Sequence, residues 1–197
     1  MSKFFTKVTD ENILLQQDKE MLHEFYNYMI KKSIENKFEA TLKKNSFSHY
    51  IENLNAFFEG KQDSSYVKDL LLAESVKTVA KSIFEDPKET LKEKSLLTQQ
   101  LFQNVDHSII QENVDIKTLE KTYLDKKQRS IVIEFLKNGY STENNSKLLI
   151  HSIHAGDKEG FDLIIKNGAN VNGPENTEFN RETPLGWKPS HFVKERN

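Results

Sequence analysis

Up to Asn138 the chain contains a single glycine, Gly60, and a single proline, Pro87. These two residue types are the strongest local interrupters of regular structure, so a stretch this poor in them is built from long uninterrupted elements. From Gly139 onward the punctuation changes. Six glycines (Gly139, Gly156, Gly160, Gly168, Gly173, Gly186) and the prolines Pro174, Pro184 and Pro189 crowd the remainder, which predicts short, sharply turned elements.

The hydrophobic pattern says which elements these are. A first helix, capped by Asp10, carries Leu14, Leu22, Phe25, Met29 and Ile30 and extends towards Leu42. A second is predicted over 47–59, with Phe47, Tyr50, Ile51, Leu54, Phe57 and Phe58 on one face and Gly60 at its C-cap. A third covers 65–85 through Tyr66, Val67, Leu70, Ala73, Val76, Ala80, Ile83 and Phe84. Asp86-Pro87-Lys88-Glu89 reads as the start of a fourth, with an acidic cap, a first-turn proline and a glutamate three residues on. That helix carries Leu91, Leu97, Leu101, Phe102 and Val105, and Asp115 caps a further one over 116–124. No alternation of period two persists over a useful length. The expected fold class is all-α, and single-faced stripes of this width are what helices packing on one another need.

Composition narrows the chemistry. The chain has no cysteine, which removes disulfides, zinc ribbons, thiol nucleophiles and iron–sulfur clusters. A formal net charge of −2 exerts no overall pull on nucleic acid, and the basic clusters (Lys31-Lys32, Lys43-Lys44, Lys126-Lys127-Gln128-Arg129) are short and interleaved with acids. The longest apolar runs, such as Leu70-Leu71-Leu72-Ala73, fall far short of a membrane span, and the N-terminus turns polar too soon for a secretory signal. Phosphate-binding glycine loops and the GxSxG and HExxH patterns are absent. His151 and His154 stand three apart with Asp157 beyond, but two histidines without a patterned third ligand do not specify a metal site. The reading assigns no catalytic residue, no metal and no cofactor.

The most specific pattern lies near the C-terminus. Val132-Ile133-Glu134-Phe135-Leu136-Lys137-Asn138-Gly139 aligns with Phe161-Asp162-Leu163-Ile164-Ile165-Lys166-Asn167-Gly168, each an amphipathic helix ending in a glycine suited to a C-cap. A short helix over 148–155 precedes the second copy, and Gly156 lets the chain reverse so that Leu149, Ile153, Phe161, Ile164 and Ile165 face one another. This order resembles an ankyrin repeat. Leu149 falls at the leucine of the opening motif, Ser152-Ile153 at the small pair, His154-Ala155 at the variable pair and Gly156 at the turn. Gly168-Ala169-Asn170-Val171-Asn172 matches the start of the finger, and Thr183-Pro184-Leu185 looks like the opening of another repeat.

The departures are as informative as the match. Gly139 and Gly168 are 29 residues apart against a family period of about 33, which implies a trimmed first finger, while Gly168 to Thr183 implies a lengthened second one. Lys147-Leu148 stands in place of Thr-Pro, and Ile153 is large for its slot. Pro189 falls where a third opening helix would continue, at a cost of about 3 kcal/mol, so the third repeat is incomplete.

The expected organisation is a helical domain over 1–125, ankyrin-like repeats over 126–185 and a tail over 186–197. Repeats this few do not fold alone, so the preceding helices are expected to cover the first one. The resemblance implies a non-enzymatic protein–protein interaction module whose partner-binding positions are His154, Ala155, Asn172, Asn180 and Arg181. It implies a protein partner, with no nucleic acid and no membrane span. Lysine outnumbers arginine 25 to 3, and with the many asparagines this bias fits an AT-rich genome. Bacterial ankyrin proteins of intracellular pathogens combine such arrays with helical domains, so a cytoplasmic protein, or an effector secreted into a host cell, is the expected setting. The alternative is an enzyme whose active site lies among the N-terminal helices, with the repeats selecting its substrate.

Overall fold

The computed structural model describes residues 14–36, 47–61, 65–143 and 145–171. Among the described residues every regular element is an α-helix and there is no strand. In chain order the helices are α1 (Gln16–Asn36), α2 (Phe47–Phe58), α3 (Ser65–Glu85), α4 (Leu91–Asn104), α5 (His107–Asn113), α6 (Ile116–Leu124), α7 (Arg129–Lys137), α8 (Ser146–His154) and α9 (Lys158–Lys166). Their packing separates into two units. One gathers the described residues up to 89 with 100–113, and the other gathers 90–99 with 114–171, the division falling within α4.

In the first unit α1 packs on α2 and α3, α2 on α3, and α3 on α5. The core follows from helical spacing: Leu22, Phe25 and Met29 of α1 meet Phe47, Tyr50, Ile51, Leu54 and Phe58 of α2, with Val67, Leu71, Val79 and Ile83 supplied by α3. Phe25 is the centre of an aromatic cluster, its ring 5.2 Å from Phe57, 5.8 Å from Phe58 and 5.9 Å from Tyr50. Lys61 closes the rim of this cluster, its Nζ 3.8 Å from the Phe57 ring centre and 3.0 Å from Glu24 Oε2. Three buried polar groups are answered locally: Asp18 accepts from the Leu15 N–H, Glu74 pairs with Lys77, and the Ser75 hydroxyl donates to the Leu72 carbonyl.

The third helix spans the predicted residues, and the second ends at Phe58, with Gly60 at φ +74° where a left-handed C-cap was expected. Asp10 and Leu42 lie outside the described residues. The fourth helix departs from its predicted start. Asp86 does not cap it; its Oδ1 accepts the Lys88 N–H at 2.8 Å in a turn that Pro87 fits. The helix is instead opened by a capping box four residues on, in which Thr90 Oγ1 accepts the Glu93 N–H and Glu93 Oε2 accepts the Thr90 N–H. Ile30, Tyr66 and Leu91, expected on core faces, are exposed. Helix α5 was not anticipated, because a seven-residue element burying only Ile110 is too short to display a period.

Candidate functional site

Helices α6 to α9 form two antiparallel hairpins of matching construction, α6 packing on α7 and α8 on α9. Asp115 caps α6 by accepting the Lys117 N–H at 3.0 Å, and Asn145, thirty residues on, caps α8 by accepting the Leu148 N–H at 2.8 Å. The second helices end alike. Asn138 and Asn167 each turn their amide back to a carbonyl four residues earlier (Glu134 and Leu163, both 2.8 Å), and Gly139 and Gly168 follow at φ +85° and +102°. The hairpins are also stitched together. The Asn167 amide donates to the Leu136 carbonyl at 2.9 Å, and Thr142 donates from its N–H to the Asn167 carbonyl and from its hydroxyl to the Ile164 carbonyl. Helix α6 packs on α8 and α7 on α9, so first helices stack on first helices and second on second.

The thirty-residue offset between α6 and α8 pairs their residues one to one. Leu119 and Leu149, Thr122 and Ser152, and Tyr123 and Ile153 are buried in both copies. The opposite stripe pairs Lys117 with Lys147, Lys121 with His151 and Leu124 with His154. Within each helix these positions are four and then three residues apart, which places them on one face. Leu124 is 58% exposed, unusual for a leucine at the end of a packed helix. In the second helices the stacking face is visible as a contrast between matched positions: Leu136 is 1% exposed beneath the second hairpin, whereas Ile165, the last copy of that position among the described residues, is 38% exposed.

A buried polar contact fixes one hairpin to the other. The Tyr123 hydroxyl on α6 donates to Asp157 Oδ2 at 2.6 Å, while Asp157 Oδ1 caps α9 by accepting the Gly160 N–H at 2.9 Å. The Arg129 guanidinium lies 5.1 Å from the Tyr123 ring centre and its Nε donates to the Tyr123 carbonyl. Burial, reinforced by the Asp157 carboxylate, raises the Tyr123 hydroxyl well above the ordinary tyrosine range. Burial also raises Tyr50 well above it, and together with the nearby Asp115 carboxylate it pushes Tyr140, whose hydroxyl donates to the Val114 carbonyl, up to about 12.

These shifts have a direct consequence at high pH. Unfolded tyrosines ionise near 10.0, whereas these three hold their protons in the folded state, so above that pH the folded chain binds more protons than the unfolded one. Stability is therefore expected to be complete below pH 10 and to fall above it. Between pH 10 and 12 Tyr140 alone removes about 1.4 kcal/mol per pH unit. A tyrosinate absorbance titration alongside helix circular dichroism checks this: part of the signal from the six tyrosines should appear only as the helices are lost.

Of the partner-binding positions read from the sequence, His154 ends α8 and is exposed, and Ala155 is its half-buried C-cap, its N–H donating to the His151 carbonyl at 3.0 Å. Asn172, Asn180 and Arg181 lie outside the described residues. Phe161 and Ile165, expected to face Leu149 and Ile153, are half-buried and exposed, while Ile164 turns fully inward. Asp157 is engaged by Tyr123 and the α9 cap, and among the described residues no group of three His, Asp or Glu side chains is placed to hold a metal ion.

Sequence reasoning missed Lys117, Lys121 and Leu124 as counterparts of Lys147, His151 and His154. The signal was available in the spacing of the two caps, Asp115 and Asn145. No protein-family model matches the chain, and no curated protein or solved structure is significantly similar to it. No described helix is long and apolar enough to cross a membrane.

Proposed function

We propose that the hairpins of α6 to α9 belong to a short, degenerate ankyrin-like array that binds another protein and performs no chemistry of its own. The observation that carries this reading is the paired stripe on α6 and α8. It sits on first helices of stacked hairpins, its last member on α8, His154, is a position that the ankyrin resemblance assigns to the partner, and it holds Leu124 out in solvent. A large apolar side chain at such a position loses little by meeting a partner and gains by leaving water. His154 and Ala155 occupy the same place in the second copy, with Asn172, Asn180 and Arg181 assigned to the finger beyond it. A cysteine-free chain fits the cytoplasm, and the lysine and asparagine bias is compatible with a bacterial effector acting in the cytoplasm of a host cell.

The test is a pull-down with the intact chain, repeated with Leu124→Ala and His154→Ala combined. Both residues are exposed, so stability should stay within about 0.5 kcal/mol of the parent. Binding to the captured protein should weaken at least about ten-fold, the effect of losing 1.4 kcal/mol at an interface anchor. Unchanged affinity for that protein would remove the α6–α8 face from the recognition site.

A further inference from the structure

The chemistry of the stripe says more about its partner than the repeat pattern does. On α6 it reads Lys117, Lys121, Leu124, and on α8 Lys147, His151, His154, so it carries cationic and imidazole groups around one apolar side chain and no carboxylate. The three lysines are exposed and form no ion pair among the described residues. Four acids of the same hairpins are turned to other work. Glu120 accepts from the Asn145 amide at 2.6 Å, and Asp115 caps α6. Asp125 accepts from the Lys127 N–H and the Gln128 side chain within its turn, and Asp157 is held by Tyr123 and the Gly160 N–H. Among the described residues none of these four forms an ion pair with the lysines of the stripe.

We propose that this face takes an acidic protein segment, in which carboxylates meet Lys117, Lys121 and Lys147 and an apolar side chain packs on Leu124. The proposal rests on the interaction reading above and names the chemistry of its partner. An acidic protein segment fits better than nucleic acid because the stripe has no arginine fork for phosphates and no tryptophan, tyrosine or phenylalanine ring to stack on bases, while Leu124 sits among the lysines and offers a base nothing to hydrogen-bond.

The probes are two labelled peptides of equal length with one central leucine, flanked by glutamates in one and by glutamines in the other. Their binding to the full chain is followed by fluorescence anisotropy at low and at physiological salt. The glutamate peptide should bind about ten-fold more tightly than the glutamine peptide, as three exposed charge pairs of modest strength would give, and the difference should shrink as salt is added. Lys117→Gln, Lys121→Gln and Lys147→Gln together should abolish the preference, and Leu124→Ser should weaken both peptides. Lys158→Gln with Lys166→Gln, on α9, should change neither, and circular dichroism should show all variants as helical as the parent.

Equal binding of the two peptides, no binding of the glutamate peptide, or a triple variant that keeps the preference would overturn the proposal. So would a single-stranded oligonucleotide that outcompetes the glutamate peptide and loses affinity in the triple variant. A captured protein that depends on Leu124 and His154 but is indifferent to the three lysines and to salt would defeat the acidic assignment alone. A protein indifferent to Leu124 and His154 as well would defeat the interaction reading itself.

Discussion

Gly160→Ala is expected to cost the α6–α9 hairpins about 3 kcal/mol, the sum of overpacking and a lost hydrogen bond. Gly160 lies in the first turn of α9, buried, with ordinary helical backbone, so alanine would normally be the better residue there. What forbids it is proximity: a Cβ at this position would collide with the Tyr123 hydroxyl and crowd the Asp157 carboxylate. Tyr123 is fully buried and cannot swing aside, so relief means separating the hairpins or breaking the hydrogen bond that joins them. Gly156→Ala is the matched control. It has φ +63° with nothing within 4 Å of an added Cβ, so its cost is the strain of a left-handed backbone alone, about 1–2 kcal/mol. Urea unfolding followed by circular dichroism distinguishes the two, and a Gly160→Ala chain no less stable than Gly156→Ala would show that the Tyr123 contact is not tight.

The largest effect in the other unit is expected at Phe25. Phe25→Ala should destabilise it by about 3–5 kcal/mol, a sizeable share of the whole stability of an ordinary domain. The ring is fully buried and touches aromatic partners on three sides, so its removal leaves a void lined by rigid side chains that collapse poorly. Phe25→Leu refills part of that space and should cost much less, about 1.5 kcal/mol. Equal losses for alanine and leucine, measured by the same unfolding curves, would mean that the cluster is held by its edge, at Lys61 and Glu24, rather than by its centre.

The sequence was most legible where one physical rule acted without competition. Helix α3 was readable to the residue because a long, breaker-free stripe ends against Asp86 and Pro87, and the cap of α6 was readable because Asp115 directly precedes an apolar period. The start of α4 was not, since Asp86-Pro87-Lys88-Glu89 and Thr90-Leu91-Lys92-Glu93 carry equally good capping signals and only the fold chooses between them. Among candidate site residues, His154 was visible through the glycine pattern that follows it. Leu124 was hidden because its turn, Asp125-Lys126-Lys127-Gln128, has no glycine and so does not look like the turn after His154. The Tyr123–Asp157 contact joins residues 34 apart in the chain and leaves no local trace.

The central claim, that the exposed stripe of α6 and α8 is where a protein partner sits, is tested most directly by hydrogen exchange on the full chain, with and without the protein that it captures. The account predicts that amides around Leu124 and around His154 slow together on binding, while those of α1, α2 and α3 are unchanged. Protection confined to α1–α3, with both ends of the stripe exchanging as in the free chain, would contradict it.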